Sequence, residues 1–266
     1  MTEGIGRGVA VVTGASGGIG LGLARELAAR RYDLVLTARS QGKLAAAAEE
    51  LSKASRVRVE VVPADLATAA GPAQIASALA AKGIEPEVLV NNAGVGMHGA
   101  FAETDEADLL RLLQLNVTSL AHLTRLLLPG MAARRRGRVL NVASTAGFVP
   151  GPFMAAYYAS KAFVLSLSAA LNEELSGTGV TVTALCPGAT RSGFDAAAGV
   201  AKSRLFRRGV MEVGPVARAG VEGMLAGKSV VVPGIRNKVL ATSSGLGPRW
   251  LTAKIARSLQ DPKDMA

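Results

Sequence analysis

Short apolar runs alternate with longer amphipathic stretches along almost the whole chain. Val9-Ala-Val-Val-Thr13 is compact, apolar and rich in β-branched residues, which predicts a buried strand. Comparable runs predict strands near 33–37, 57–62, 87–91, 138–143, 179–185 and 229–233. Between them apolar residues recur at helical spacing, as Ile19, Leu23 and Leu27 do. These stretches predict helices near 18–30, 41–53, 72–82, 104–133, 155–177 and 215–226. Alanine runs at 45–48 and 78–81 are good helix formers within two of them. Strand and helix in regular alternation predict an α/β chain whose parallel sheet is covered on both faces.

The 266 residues suffice for one large core and are too few for two ordinary domains with a linker. Residues 1–234 are expected to form that single domain, with 235–266 as a basic amphipathic extension. Met1 to Gly8 leads straight into the first strand and leaves no room for a signal peptide. No apolar run reaches membrane-spanning length, so a cytoplasmic protein is expected. The single cysteine, Cys186, lies in an apolar run and is expected to be a small buried hydrophobe rather than a reactive thiol.

Charge changes the picture only briefly. Thirty basic residues against twenty acidic ones give a formal charge of +10, which invites a nucleic-acid reading. Yet Arg134, Arg135, Arg136 and Arg138 precede the fifth strand, at the sheet end opposite the one where ligands bind. Aromatic residues are only 4% of the chain, too few for stacking on bases. No nucleic-acid partner and no metal are expected.

Two local patterns carry candidate chemistry. The first strand runs directly into Gly14-Ala-Ser16-Gly-Gly18-Ile19-Gly20 and then into a helix. Glycines there let the backbone turn sharply and approach a pyrophosphate, which sits at the positive end of the helix. The second pattern is Tyr157 and Lys161, four residues apart and therefore on one helix face. A free phenol ionises near pH 10. An adjacent ammonium is expected to lower that by roughly 1–3 units, towards useful acid–base chemistry. Ser144, thirteen residues upstream, offers a second hydrogen bond to the same substrate oxygen.

Together these segments resemble the short-chain dehydrogenase/reductase family from residue 9 to about 233, most of all its bacterial ketoacyl reductases and hydroxysteroid-dehydrogenase-like members. Thr13–Gly20 resembles the family's Thr-Gly-x-x-x-Gly-x-Gly, and Asp65-Leu66 its adenine-contacting acid. Asn91-Asn92-Ala93-Gly94 resembles the motif ending its fourth strand, and Pro187-Gly188 with Thr190 the turn that clasps the nicotinamide. Asn116, Ser144, Tyr157 and Lys161 fall where the family keeps its catalytic tetrad. The resemblance implies a Rossmann-type, doubly wound, mostly parallel seven-stranded sheet in a single domain. It also implies an oxidoreductase that transfers hydride reversibly between a nicotinamide cofactor and a carbonyl. Tyr157 would protonate the developing alkoxide, Ser144 would donate to the same oxygen, and Lys161 would hold the nicotinamide ribose and depress the Tyr157 pKa. Asn116 would position a water that relays protons to Lys161. Read from its surroundings alone, Asn116 is a polar residue in an apolar helix and could equally be satisfied inside the core. A homodimer or homotetramer through the long helices is also implied.

Tyr158 is three residues from Lys161 and is expected to face a neighbouring helix or subunit. His98 lies either at the substrate mouth or on a surface loop. The end of the second strand, Leu34-Val-Leu-Thr-Ala-Arg39-Ser40-Gln-Gly-Lys43, holds no acid for a ribose hydroxyl. Arg39, with Ser40 as second donor and Lys43 nearby, suits a 2′-phosphate instead, so NADP(H) is expected. Arg39 could otherwise be an ordinary surface arginine.

Substrate identity is expected to reside in a lid at 190–212, with Phe194, Val200, Leu205, Phe206 and Met211 forming an apolar inner side. Phe148, Pro150, Phe153 and Met154 would add an apolar wall suited to a hydrophobic ketone, aldehyde or acyl chain. Arg191, Lys202, Arg204, Arg207 and Arg208 would either meet an acidic carrier or coenzyme, or simply solvate the lid. The tail carries Arg236, Lys238, Arg249, Lys254 and Arg257 among Leu246, Trp250, Leu251, Ile255 and Leu259. It is expected to pack on its own core or a partner subunit, the alternative being an anionic membrane surface. A rival reading of the whole chain is a redox sensor that binds NADP without turnover.

Overall fold

The computed structural model describes residues 8–194, 198–199, 210–243 and 248–260, without the side chains of Arg249 and Leu259. Val200, Lys202, Arg204, Leu205, Phe206, Arg207, Arg208 and Leu246 therefore lie outside the described residues. Seven strands form one all-parallel sheet: β1 (Val9–Thr13), β2 (Asp33–Thr37), β3 (Val59–Val61), β4 (Pro86–Asn91), β5 (Gly137–Val142), β6 (Val180–Leu185) and β7 (Val230–Val231). Their spatial order is β3-β2-β1-β4-β5-β6-β7. The order reverses between β1 and β4, which opens the crevice where ligands of such sheets bind. This is the parallel sheet expected from the alternating pattern, in the Rossmann-type form that the family resemblance implied.

Side chains within each strand point alternately to the two faces. Ala10, Val12, Val88, Val90, Leu140 and Leu185 face one layer, formed by α1 (Gly18–Ala29), α2 (Gln41–Ser55) and a later helix at Val213–Leu225. Val11, Leu89, Val139 and Val182 face the other, formed by α3 (Gly71–Ala81), α5 (Ser119–Ala133) and the C-terminal half of α6 (Ala155–Glu174). A short α4 (Glu106–Leu113) precedes α5. The Val213–Leu225 helix is α7, followed by α8 (Ile235–Ser243) and α9 (Arg249–Gln260).

The stretch expected as one helix over 104–133 is interrupted. Between α4 and α5, residues Gln114–Thr118 form a wide π turn, with Asn116 buried at its centre. Such turns interrupt a helix where a side chain must reach past the regular ladder. Asn116 does so, as described below. Strands β3 and β7 are shorter than the expected 57–62 and 229–233, because both are sheet edges that pair on one side only.

The basic run before β5 is held structurally. Arg134 pairs with Glu85 at 3.5 Å and Arg136 with Glu87 at 2.8 Å, at the amino end of the sheet. Cys186 is fully buried, and burial pushes its thiol up to about 12, as expected for an inert core residue.

Inside the second layer a polar network ties four elements together. Asn91 Nδ2 donates to Asn141 Oδ1 and to Thr124 Oγ1, both at 2.9 Å, and Asn141 Nδ2 donates to Ser168 Oγ at 2.9 Å. All four residues are buried. Asn141→Ala leaves buried donors and acceptors unpaired, each worth about 1–3 kcal/mol. Urea unfolding should show a loss of about 2–4 kcal/mol; a loss below about 0.5 kcal/mol would show that the network contributes nothing.

Candidate active site

The loops at the carboxyl ends of β1 and β4 are clasped by one hydroxyl. Thr13 Oγ1 donates to Val90 O at 3.2 Å and accepts from the backbone N–H groups of Asn92 and Ala93 at 2.9 and 3.0 Å. Asn92 Nδ2 returns two bonds, to Thr13 O at 2.9 Å and Gly14 O at 3.3 Å. Asn92 thus acts here by fixing the glycine turn.

That turn fits a dinucleotide. Gly14 and Gly18 have φ of 65° and 53°, in the left-handed region that favours glycine. A Cβ on Gly20 would stand 2.3 Å from Gly14 O, so only glycine lets α1 begin so close to β1. Gly17 precedes α1 with no side-chain cap, and the first turn carries no acid, so the N–H groups near Ser16 and Ile19 remain available to phosphate oxygens. Ser192, at the foot of the expected lid, lies over this turn: a Cβ on Gly18 would be 2.7 Å from its carbonyl oxygen.

Beyond the turn, the end of β2 presents exposed Arg39 and Ser40, and Ser40 Oγ caps α2 by accepting from Lys43 N at 3.4 Å. The neighbouring acids are engaged elsewhere: Asp33 pairs with Arg58 at 2.9 Å and Glu49 with Lys53 at 2.5 Å. Asp65 Oδ1 accepts from Ala67 N at 2.9 Å, which orders the Asp65-Leu66 turn. Leu66 is buried, and its carbonyl accepts from Ser119 Oγ at 2.5 Å.

The four residues expected to be catalytic converge at the carboxyl edge. Asn116 Oδ1 accepts from Val95 N at 2.9 Å, while its Nδ2 donates to Val95 O at 2.9 Å and to Ser160 Oγ at 3.1 Å. The π turn exists to make this three-way clasp on the loop after β4. Gly94 is wedged between: its Cβ would lie 3.1 Å from Asn116 Oδ1 and 3.5 Å from Lys161 Nζ. Ser144 Oγ accepts from Ala146 N at 3.1 Å and donates to Pro187 O at 3.4 Å, bringing the Pro187-Gly188 turn to the same place. Thr190 Oγ1 closes that turn on Gly188 O at 2.9 Å.

Tyr157 and Lys161 lie on one face of α6, with the ammonium 5.8 Å from the ring centre. The expected electrostatic tuning is not what this geometry produces. Burial raises the Tyr157 phenol well above its ordinary value, a hydrogen bond with Ser144 opposes this only in part, and nearby Tyr158 adds to the rise. Burial also lowers Lys161 to about 8, although neighbouring Cys186 favours its charge. Lys161 Nζ donates to Val142 O at 2.8 Å. Desolvation therefore outweighs the cation that sequence spacing places nearby.

Around Tyr157 the substrate-side residues separate into three groups. Phe194 lies over the Tyr157 ring at 5.2 Å between centres, and Met154 joins the same buried cluster. Phe148 packs instead with Leu120, Ala143 and Val164, in a separate cluster. Phe153, held at φ 65°, faces His98 and the guanidinium of Arg257. Sequence reasoning missed Val95, Met97 and Gly96. A Cβ on Gly96 would meet the Phe194 ring at 2.4 Å, and its position two residues past the end of Asn-Asn-Ala-Gly was the available signal. Tyr158 turns to α9, where Gln260 Nε2 donates to its hydroxyl, and burial raises that phenol to about 12. His98 Nε2 meets Gln260 O at 2.8 Å. Arg191 of the lid is paired with Glu212 at 3.1 Å.

The sequence profile of the family described as short chain dehydrogenase matches residues 8–202. A very-long-chain 3-oxoacyl-CoA reductase of Bos taurus is 38% identical over 182 residues, which are 67% of this chain and 58% of that protein. The chain thus spans little more than half the length of that relative. Among solved structures, a short-chain dehydrogenase from Sphingobium yanoikuyae in complex with NADPH superposes with a TM-score of 0.80 at 35% identity, covering 90% of this chain and 94% of the other. A short chain dehydrogenase/reductase from Burkholderia phymatum in complex with NAD superposes with a TM-score of 0.79 at 29% identity, covering 92% and 94%.

The buried lysine has a pH consequence whose sign is determined. Between about 8 and the ordinary 10.5, an unfolded chain keeps a proton that folded Lys161 has released. Its contribution to stability therefore rises with pH across that window and is level on either side. Urea unfolding of wild type and Lys161→Met should show the stability difference, variant minus wild type, shrinking from pH 8 to 10.5. A difference that is flat across the window would mean that the lysine is not desolvated.

Proposed function

This chain belongs to the short-chain dehydrogenase family, and from that premise we propose that it reduces a hydrophobic ketone or aldehyde, or a β-ketoacyl thioester, to the alcohol with NADPH. The observation that carries the reading is the Tyr157 phenol, buried near Ser144 and covered by Phe194. Residues 14–20 would hold the pyrophosphate, Arg39 and Ser40 the 2′-phosphate, and Asp65, Leu66, Asn92, Ala93, Gly94, Pro187, Gly188 and Thr190 the remainder of the cofactor. When bound, the nicotinamide supplies the two electrons as a hydride.

The protein's part is the proton and the charge. A phenol with its pKa raised by burial stays protonated at neutral pH, which is the form a proton donor needs when a carbonyl is reduced. Ser144 donates a second hydrogen bond to the same oxygen and stabilises negative charge as it develops. Lys161, still mostly charged at neutral pH, lies beside Gly94 where ribose hydroxyls would approach. Asn116 is a positioning residue: its three bonds hold the Val95 loop and Ser160 against the lysine. Phe194, Met154, Val95 and Met97 give the site an apolar wall that suits an acyl chain or bulky ketone. The name of the bovine relative, a very-long-chain 3-oxoacyl-CoA reductase, supports the same class.

The missing carboxylate at the end of β2 supports NADPH over NADH. A homodimer or homotetramer through α5 and α6 belongs to the proposal, since Leu126 and Phe163 stand exposed on those helices.

Two substitutions test this reading. With a panel of hydrophobic ketones, aldehydes and β-ketoacyl thioesters, Tyr157→Phe should lower kcat by about 10²–10⁴ without unfolding the protein. An unchanged kcat would remove Tyr157 from the chemistry. Arg39→Ala should raise KM for NADPH about tenfold or more and leave that for NADH nearly unchanged. A wild type that prefers NADH would overturn the role given to Arg39.

A further inference from the structure

The two C-terminal helices are amphipathic the wrong way round for packing on their own core. At 3.6 residues per turn, Ala253, Ala256 and Gln260 share one side of α9 and Trp250, Leu251, Lys254 and Ile255 the other. The side turned inward is the small and polar one: Ala256 and Gln260 are buried, and Gln260 bonds Tyr158 and His98. The large apolar residues face solvent, with Trp250 62%, Leu251 41% and Ile255 55% exposed. Helix α8 repeats the arrangement. Asn237 turns inward, donating to Pro233 O at 2.8 Å and sitting against Gly188, while Ile235, Val239 and Leu240 are 80%, 60% and 61% exposed. These six make up half of the exposed large hydrophobic residues among the described ones, on two short helices.

Both helices rest on loops at the carboxyl edge of the sheet, α8 at Gly188 and α9 at His98, Phe153 and Tyr158. They therefore border the candidate active site. Their charge is single-signed: no acid occurs from Gly223 to Gln260, while Lys228, Arg236, Lys238, Arg249, Lys254 and Arg257 do. Lys254 lies over the Trp250 ring at 5.4 Å, a cation beside an aromatic on the outward side.

We infer that α8 and α9 lie on an anionic phospholipid surface, with Trp250, Leu251, Ile255, Ile235, Val239 and Leu240 entering the headgroup boundary and the cations meeting lipid phosphates. Large apolar residues flanked by lysine and arginine on an outward helix face are what such a surface takes up. A second copy of the chain fits poorly. A two-fold contact through these faces would bring the cations of one copy, Arg236, Lys238, Lys254 and Arg257, against those of the other, with no acid between Gly223 and Gln260 to pair them. No helix among the described residues is long and apolar enough to cross a membrane, so the contact is one of lying on the surface. The sequence posed packing and membrane contact as alternatives; the helices do the first with their small side and leave their large side for the second. The inference stands apart from the proposed reaction.

Flotation of the full-length protein with vesicles tests it. Wild type should bind vesicles of equal parts phosphatidylglycerol and phosphatidylcholine, bind phosphatidylcholine alone weakly, and lose affinity as salt rises. The double substitution Trp250→Asp with Ile255→Asp should weaken binding about tenfold or more, and Lys254→Gln roughly fivefold. Leu240→Asp on α8 is an independent arm with the same expectation. All should keep wild-type turnover of a water-soluble carbonyl substrate, which reports that the fold is intact. Wild type that ignores anionic vesicles, or variants that bind as well as wild type, would overturn the inference. So would sedimentation showing a wild-type oligomer that dissociates in the double variant without any vesicle binding, which would assign the face to a second copy. Vesicle binding without reductase activity would leave this surface standing and remove only the proposed reaction.

Discussion

The close approach of β1 and β4 at the reversal of strand order is the constraint on which the rest of the site depends. Thr13 sits between the two strand ends, giving one hydrogen bond to Val90 and taking two from Asn92 and Ala93. Asn92 answers by holding the carbonyls of Thr13 and Gly14. With those ends locked, α1 starts where a Cβ on Gly20 has no room, and its bare N-terminus opens toward the crevice. The same lock leads the chain through Gly94 to Val95, which Asn116 grips from the π turn. The glycine turn and the buried Asn116 are thus joined through one short stretch of backbone.

Burial, more than pairing, governs the chemistry next to that lock. Tyr157 and Lys161 are close enough for their charges to matter, yet both sit where water is excluded. The phenol is held neutral and the ammonium is made easier to discharge, each by the same loss of solvation. Phe194 is part of that burial, its ring lying 5.2 Å from the Tyr157 ring between centres. Under the proposed reaction, a neutral phenol beside the Ser144 hydroxyl would be the proton donor.

The C-terminal helices connect this site to the outside. Gln260 bonds both His98 and Tyr158, the residue next to Tyr157. Helix α9 touches His98 and Tyr158 with its small face and shows solvent its large one.

How much of this was legible in the chain follows from the distance over which each cause acts. Strand and helix alternation, the glycine turn and the shared face of Tyr157 and Lys161 are local, so periodicity and i,i+4 geometry announce them. The absence of an acid at the end of β2 is equally local, and the structure finds the nearby acids occupied elsewhere. The break at Gln114–Thr118 was not legible, because it answers to Val95 and Ser160, brought near only by folding. Phe148 and Phe194 look alike in sequence, and only packing sends one to a different cluster and the other onto Tyr157. The amino-acid sequence by itself determined the sheet, the glycine turn and the shared helix face of Tyr157 and Lys161. The tertiary structure alone decided the direction in which the Tyr157 pKa moves and which face of α8 and α9 meets the outside. Desolvation and facing are properties of contacts between residues far apart in the chain, and no local spacing encodes them.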